Sequence, residues 1–179
     1  MDNKVLELTI NGIQYGPDEV PADLKMIDYL HEYLNLTGSR LGCGQGICHA
    51  CVVIVDNPDG SSHEMRTCIN SALYFNGKNI RTIEGISGKL NTRNYNDLNP
   101  IQKKFVDHFS FQCSYCAPGF VNAATILLEQ AQKKPINSSE LNHRVDKALK
   151  KHICRCTGYI RYYEATRQVL IDLNLVKDS

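Results

Sequence analysis

The sequence predicts an α+β protein of two unlike parts: an N-terminal β-grasp ferredoxin-like domain and a C-terminal four-helix bundle. Three observations carry this. Strand-like runs and one helical run fill about the first eighty residues, only helical periodicity appears after residue 98, and a polar stretch without periodicity separates the two. The division follows as residues 1–84, a linker over 85–98, and residues 99–179.

The elements can be justified in order. Val5, Leu6, Leu8 and Ile10 sit in an alternating run that meets Asn11-Gly12, a two-residue turn signal, before Ile13-Gln14-Tyr15. That pattern is a β-hairpin. After Pro21, the stretch from Asp23 to Leu34 carries Leu24, Ile27, Leu30 and Leu34 at helical spacing, an amphipathic helix with an acidic start. Cys51 to Asp56 is β-branched and nearly continuously apolar, as a strand buried on both faces should be, and Asn57-Pro58-Asp59-Gly60 turns it. A further strand near Asn79 to Ile83 closes a small mixed sheet.

Gly85, Gly88, Asn91, Asn94, Asn96 and Asn99 crowd the linker. Pro100 then opens a helix with Ile101, Phe105, His108 and Phe109 on one face, running to about Ser110. A second helix starts at Ala117-Pro118, buries Phe120, Val121, Ala124, Leu127 and Leu128, and stops before Pro135. Asn137-Ser138-Ser139-Glu140 has the form of a capping box for a third, which carries Leu141, Val145, Ala148 and Leu149. Thr157 or Gly158 opens a fourth through Tyr162, Ala165, Val169 and Leu170. Short connections between four helices suggest a bundle.

Composition narrows the function. A hydrophobic content of 42%, a charged content of 22% and a net charge of +1 describe an ordinary globular chain, and argue against nucleic acid or a membrane surface as the main partner. No apolar run approaches the roughly 18 residues of a membrane span. The N-terminus Met1-Asp2-Asn3-Lys4 has neither a basic start with an apolar core nor a twin arginine, so no export signal is expected. The 8 cysteines fall in tight clusters rather than in a spread disulfide framework. A reducing, cytoplasmic location with metal ligation is the expectation.

Cys43, Cys48 and Cys51 are spaced C-x4-C-x2-C, the plant-type [2Fe–2S] spacing, which needs a fourth cysteine further on; Cys68 is available. Gly42, Gly44 and Gly46 permit the positive-φ and close-approach backbone that turns N–H groups inward around sulfur. Zinc sites favour paired C-x2-4-C knuckles, which fits less well. The other four cysteines form Cys113-Ser114-Tyr115-Cys116 and Cys154-Arg155-Cys156, each pair at a helix–loop junction where unpaired N–H groups favour an anionic cluster. C-x2-C serves zinc as well as iron, but the C-x-C spacing is awkward for a zinc knuckle and favours iron–sulfur. Arg155 lies between two thiolates and is either a tuner of cluster charge or a surface ion-pair partner. His31, His108 and His152 fit packed or solvated positions, and Tyr159, Tyr162 and Tyr163 fit core and interface aromatics.

Three ordered motifs now carry a family resemblance: Cys43-Gly44-Gln45-Gly46-Ile47-Cys48-His49-Ala50-Cys51, Gln112-Cys113-Ser114-Tyr115-Cys116-Ala117-Pro118-Gly119, and Cys154-Arg155-Cys156-Thr157-Gly158-Tyr159. Together they use seven of the eight cysteines, with Cys68 the eighth. The chain resembles the iron–sulfur subunit of the xanthine dehydrogenase/aldehyde oxidoreductase family of molybdenum hydroxylases over nearly its whole length. The resemblance implies two [2Fe–2S] clusters, the helical one nearer the molybdenum cofactor, with Gln112 and Cys156 contacting a molybdopterin held by a separate large catalytic subunit. It also implies a pterin in the cytosine dinucleotide form if the source is bacterial. Aldehyde or N-heterocycle hydroxylation belongs to the large subunit. This chain is expected to have no substrate site and to pass electrons to an FAD subunit or a cytochrome. A free-standing two-cluster ferredoxin and a zinc-stabilised interaction module are the alternatives.

Three positions depart from the family pattern. His49 and Ser114 stand where the family usually has glycine, and Ala117 where it usually has threonine. None removes a ligand. His49 is expected to alter the local backbone, and with four cysteines present a histidine-ligated cluster is not expected. Ser114 is read as a replacement for glycine at an allowed φ rather than as a donor to sulfur.

Overall fold

The computed structural model describes residues 3–178. Its first half is a five-stranded mixed sheet of order β2-β1-β5-β3-β4, formed by β1 (Asn3–Ile10), β2 (Ile13–Pro21), β3 (Val52–Asp56), β4 (Ser62–Arg66) and β5 (Asn79–Arg81). β1 and β2 form the expected hairpin with Ile10 opposite Ile13, and Asn11 and Gly12 take φ of +54° and +81°. Positive φ at both turn residues matches the twist of the flanking strands. β2 runs further than expected, to Pro21, with its register shifted opposite Leu6 and Leu8. β1 pairs in parallel with β5, and β3 pairs antiparallel with both β5 and β4.

The amphipathic helix expected over 23–34 is shorter. Residues Met26–Asp28 form one α-turn, α1, which widens into a π-helical turn over Tyr29–Tyr33. The wider turn changes the buried face: Met26, Ile27, Tyr29 and Leu30 are inside, while Leu24 and Leu34 are only partly covered. Tyr29 donates its hydroxyl proton to Asp18 at 2.6 Å, which ties this segment to β2.

Four helices make up the second half: α2 (Pro100–Asp107), α3 (Ala117–Lys133), α4 (Leu141–Leu149) and α5 (Ile160–Asp172). A short parallel pair, β6 (Ile136–Asn137) with β7 (Val176–Lys177), ties the turn after α3 to the C-terminal residues. Asn99 caps α2 in a reciprocal capping box with Gln102, with Pro100 just inside the start. Helix α2 ends at Asp107, earlier than expected. Phe109 takes a φ of +48° and is 73% exposed, so the reading that put it on the buried face is corrected. The capping box expected at Asn137-Ser138-Ser139-Glu140 is also absent. A 3-10 turn occupies Ser138–Glu140, and no side chain caps it or α4.

Helix α3 occupies the middle. From Gly119 to Leu128 every residue is buried, because one side packs on α2, α4 and α5 while the other meets β3 and β4. β3 explains how one strand serves two cores. Val53 and Val55 face the core around α1, whereas Ile54 joins the helical core with Phe105, Phe120 and Tyr162. Buried polar groups fix this seam. Asn122 donates to the Val52 carbonyl at 2.8 Å, and Arg81 bridges Asp56 and Glu129 at 2.8 and 2.6 Å. No helix among the described residues is long and apolar enough to cross a membrane.

Candidate metal centres

The loop between α1 and β3 curls around the Cys43 sulfur. Backbone N–H groups of Gln45, Ile47 and Cys48 donate to Cys43 Sγ at 3.4, 3.4 and 3.5 Å. This convergence requires left-handed backbone at Gly44 and Gly46, with φ of +64° and +71°. The N–H groups of Cys48 and Gln45 pull the Cys43 thiol down to about 6, poising it as a thiolate. At Gly42 a Cβ would stand 3.0 Å from Cys48 Sγ, filling the space in front of that sulfur. Arg66 holds the loop from outside, its Nη1 donating to the Gly46 carbonyl at 3.0 Å.

Cys51 opens the way into β3, and Cys68 follows β4. The two are buried together against Ile27, and the Thr67 hydroxyl donates to the Cys51 carbonyl at 2.8 Å, which locks the two segments. Burial and the neighbouring Cys51 thiol push Cys68 up to about 11, and Cys43 adds to the same shift. Sequence positions 43, 48, 51 and 68 thus come together.

The second set lies at the N-terminal end of α3 and in the loop before α5. Cys156 Sγ is 3.4 Å from Cys113 Sγ, and the Cys116 and Cys154 thiols interact. Cys113 and Cys156 are exposed, Cys154 is buried, and Cys116 is half-buried. Two hydroxyls reach the inner pair. Tyr162 Oη lies 3.5 Å from Cys116 Sγ, and Thr157 meets Cys154 Sγ with its hydroxyl at 3.1 Å and its N–H at 3.4 Å. Burial raises Cys116 to about 11; at Cys154 the Thr157 contacts more than offset burial and lower the thiol. Tyr162 was legible in the sequence only as a core aromatic; its position one helical turn into α5 is what aims its hydroxyl at Cys116. Arg155 is exposed and makes no ion pair among the described residues.

Both unusual residues occupy glycine-like backbone. His49 has φ +58° and Ser114 φ +60°. Ser114 donates its hydroxyl to the Cys113 carbonyl at 2.7 Å and so is not a donor to sulfur. His49 turns its ring away from the thiols toward Glu64 and His152. Burial favours a protonated Glu64, yet the hydrogen bond from His152 and the nearby His49 ring outweigh it and hold the carboxyl at about 2.

The two cysteine loops touch. Ile153 N–H donates to the Cys48 carbonyl at 3.2 Å, and Tyr115 Oη donates to the Leu41 carbonyl at 2.9 Å. Gly119 permits this approach, since any Cβ there would overlap the His49 carbonyl. Two four-thiol sets with N–H and O–H groups aimed at sulfur fit iron–sulfur clusters, whose thiolates are stabilised by such donors. Tyr162→Phe removes one donor and is expected to lower the reduction potential of the helical centre by on the order of tens of millivolts, leaving the other centre unmoved. Redox titration followed by EPR checks this, and equal potentials in variant and wild type would refute the role given to the hydroxyl.

Comparisons with known proteins agree with the chemistry. A model of the 2Fe-2S iron-sulfur cluster binding domain matches residues 9–71, and one of the [2Fe-2S] binding domain matches residues 82–167. The nicotine 6-hydroxylase small subunit of Paenarthrobacter nicotinovorans is 34% identical over 164 residues, covering 92% of this chain and 88% of that one. Xanthine dehydrogenase of Drosophila subobscura is 31% identical over 160 residues, but this chain spans only 11% of its length. A chain in the crystal structure of quinoline 2-oxidoreductase from Pseudomonas putida 86 superposes with a TM-score of 0.77 at 29% identity, covering 97% of this chain and 96% of that one. With both halves matched and a small subunit covered almost end to end, the chain belongs to the iron–sulfur small-subunit family of the molybdenum hydroxylases, and acts as an electron-transfer component of an oxidoreductase complex.

Proposed function

We propose that Cys43, Cys48, Cys51 and Cys68 hold a plant-type [2Fe–2S] cluster, that Cys113, Cys116, Cys154 and Cys156 hold a second, and that the chain carries electrons away from a molybdopterin in a large catalytic subunit. When bound, each cluster supplies one-electron storage and transfer. The single observation that carries the reading is the meeting of the eight thiols as two separate sets joined by the Ile153 N–H to Cys48 carbonyl hydrogen bond. That contact links one ligand segment to the other through a single hydrogen bond.

Direction follows from exposure. Cys113 and Cys156 face outward together with Gln112, and Phe109, Tyr115, Tyr159 and Ile160 flank them in sequence as exposed apolar side chains. Such a rim suits burial against the catalytic subunit, with Gln112 and the Cys156 sulfur as the pterin contacts. The pterin is taken to be the cytosine dinucleotide form. Cys43 lies in the other loop, whose Leu41 and Ile47 are exposed, and this loop is assigned to the acceptor side, an FAD subunit or a cytochrome. The architecture is read as a β-grasp domain over 1–84, a linker over 85–98 and a four-helix bundle over 99–179, with Ile86 of the linker anchored in the helical core. Eight thiols kept for ligation suit the reducing cytoplasm, where the chain is taken to act.

The native complex tests this. Fully reduced, it is expected to show two EPR signals of different relaxation and g-values, because the two ligand sets differ in hydrogen bonding and exposure. A single signal, with iron enough for one [2Fe–2S] centre per chain, would overturn the two-cluster reading.

A further inference from the structure

His49, Glu64 and His152 take no part in holding the clusters, yet they converge at the seam between the two halves. His152 Nε2 stands 2.7 Å from Glu64 Oε1, and His49 Nδ1 stands 3.4 Å from Glu64 Oε2. One donor atom from each of the three lies within 4.8 Å of the others. Three distant segments supply them: the first ligand loop, β4, and the loop between α4 and α5. His152 is almost fully buried, with its side chain 1% exposed, and the His49 side chain is 11% exposed. His49 Nδ1 is enclosed and has no hydrogen-bond partner, although it points at the carboxylate. A buried polar atom left unpaired is costly, so a group that satisfies it would stabilise the site.

We propose that His49 Nδ1, Glu64 and His152 Nε2 form a zinc site that clamps the two cluster-bearing halves together. Two imidazole nitrogens and one carboxylate oxygen are a donor set that zinc accepts, with its fourth tetrahedral position left open. At metal–ligand distances of about 2.0–2.2 Å, tetrahedral donors stand about 3.3 Å apart. The two imidazoles meet different oxygens of Glu64, at 3.4 and 2.7 Å, so zinc would take the carboxylate through one oxygen after a side-chain rotation that opens the shorter separation.

The open position has somewhere to face. His49 and Glu64 also line a cleft of about 820 Å³ whose other walls include Arg66, His143, Lys147 and Lys151. Among the described residues Glu64 is the only carboxylate in that lining, so water or a small anion is the natural fourth ligand. His152 closes the site from behind. The cysteines are not among the donors, which keeps this site chemically separate from the clusters.

The test uses the full chain with its iron in place, so that vacant thiols cannot capture the probe. Iron-replete protein is incubated with zinc chloride alone, desalted, and analysed for both metals. Wild type is expected to retain about one zinc per chain, and Glu64→Gln and His49→Gly less than about a tenth of that, with iron unchanged. Glycine suits the φ of +58° at position 49, so this variant should fold. If His49→Gly also loses iron, Glu64→Gln, which lies outside the ligand loops, decides. An iron-replete wild type that retains no zinc overturns the proposal, and so does equal retention by wild type and Glu64→Gln.

Discussion

Cys68→Ser is expected to remove the N-terminal centre and leave the helical one intact, cutting iron per chain by about half. The expectation rests on packing. Cys68 is 7% exposed and shares a small buried cluster with Cys51 and Ile27 that includes no cysteine of the helical set. Two thiols crowded in an apolar site resist ionisation separately, which is why burial and Cys51 push Cys68 up to about 11. A metal that displaces both protons relieves that conflict and binds in a strongly folding-linked way. Some loss of yield should therefore accompany the loss of iron. In an assembled complex the variant also separates the two ends of the proposed route. Substrate should still bleach the helical signal, while steady-state transfer to an external acceptor falls to background. Loss of the helical EPR signal instead would show that the ligands are paired differently, and unchanged turnover at halved iron would show that electrons leave elsewhere.

Where the sequence spoke clearly, a strong local rule and the tertiary environment agreed. Asn11-Gly12 made a turn, the β-branched run of β3 became a doubly buried strand, and the stripe of α3 lies in the core. Where it misled, tertiary contacts overrode periodicity. Leu24, Ile27, Leu30 and Leu34 keep helical spacing, but the π-turn over Tyr29–Tyr33 rotates the face and puts Met26 and Tyr29 inside. Phe109 keeps the phase of α2 but lies beyond its end, at positive φ. β4 gave no apolar alternation because Ser62, His63 and Glu64 form one edge of the sheet, where the neighbours are α3 and solvent.

The grouping of the cysteines was legible for a different reason: thiol spacing within a short loop brings its sulfurs together whatever the rest of the chain does. The groups that tune and brace the site do not share that property. Tyr162 reaches Cys116 across 46 residues and His152 reaches Glu64 across 88. No periodicity connects such pairs. His49 and Ser114 fall between these cases. Ser114 keeps the glycine-allowed φ expected of it, whereas His49, expected to alter the backbone, also holds a glycine-like φ, and the partners of its ring were visible only once the chain was folded.

Phe120→Ala is expected to cost about 3–5 kcal/mol, the usual range for truncating a fully buried aromatic. Phe120 is 0% exposed and its ring stacks on Tyr162 with centroids 4.0 Å apart and planes 2° from parallel, while His152 packs against it at 5.1 Å. Stacking of this kind adds about 0.5–1.5 kcal/mol beyond burial. For a chain of this size each kcal/mol moves the melting temperature by about 2–4 °C, so the apparent Tm should fall by roughly 10 °C. The effect should be local in its chemistry. Phe120 lies in the first turn of α3, its N–H donating to the Cys116 carbonyl at 3.3 Å, and its ring is the surface that holds the Tyr162 hydroxyl at the Cys116 sulfur. Removing that surface frees the donor, so the helical EPR signal should broaden while the plant-type signal keeps its shape. Phe120→Leu keeps most of the volume and should recover much of the Tm without restoring the stack. An alanine variant melting within about 2 °C of wild type would mean that the helical core does not depend on this ring.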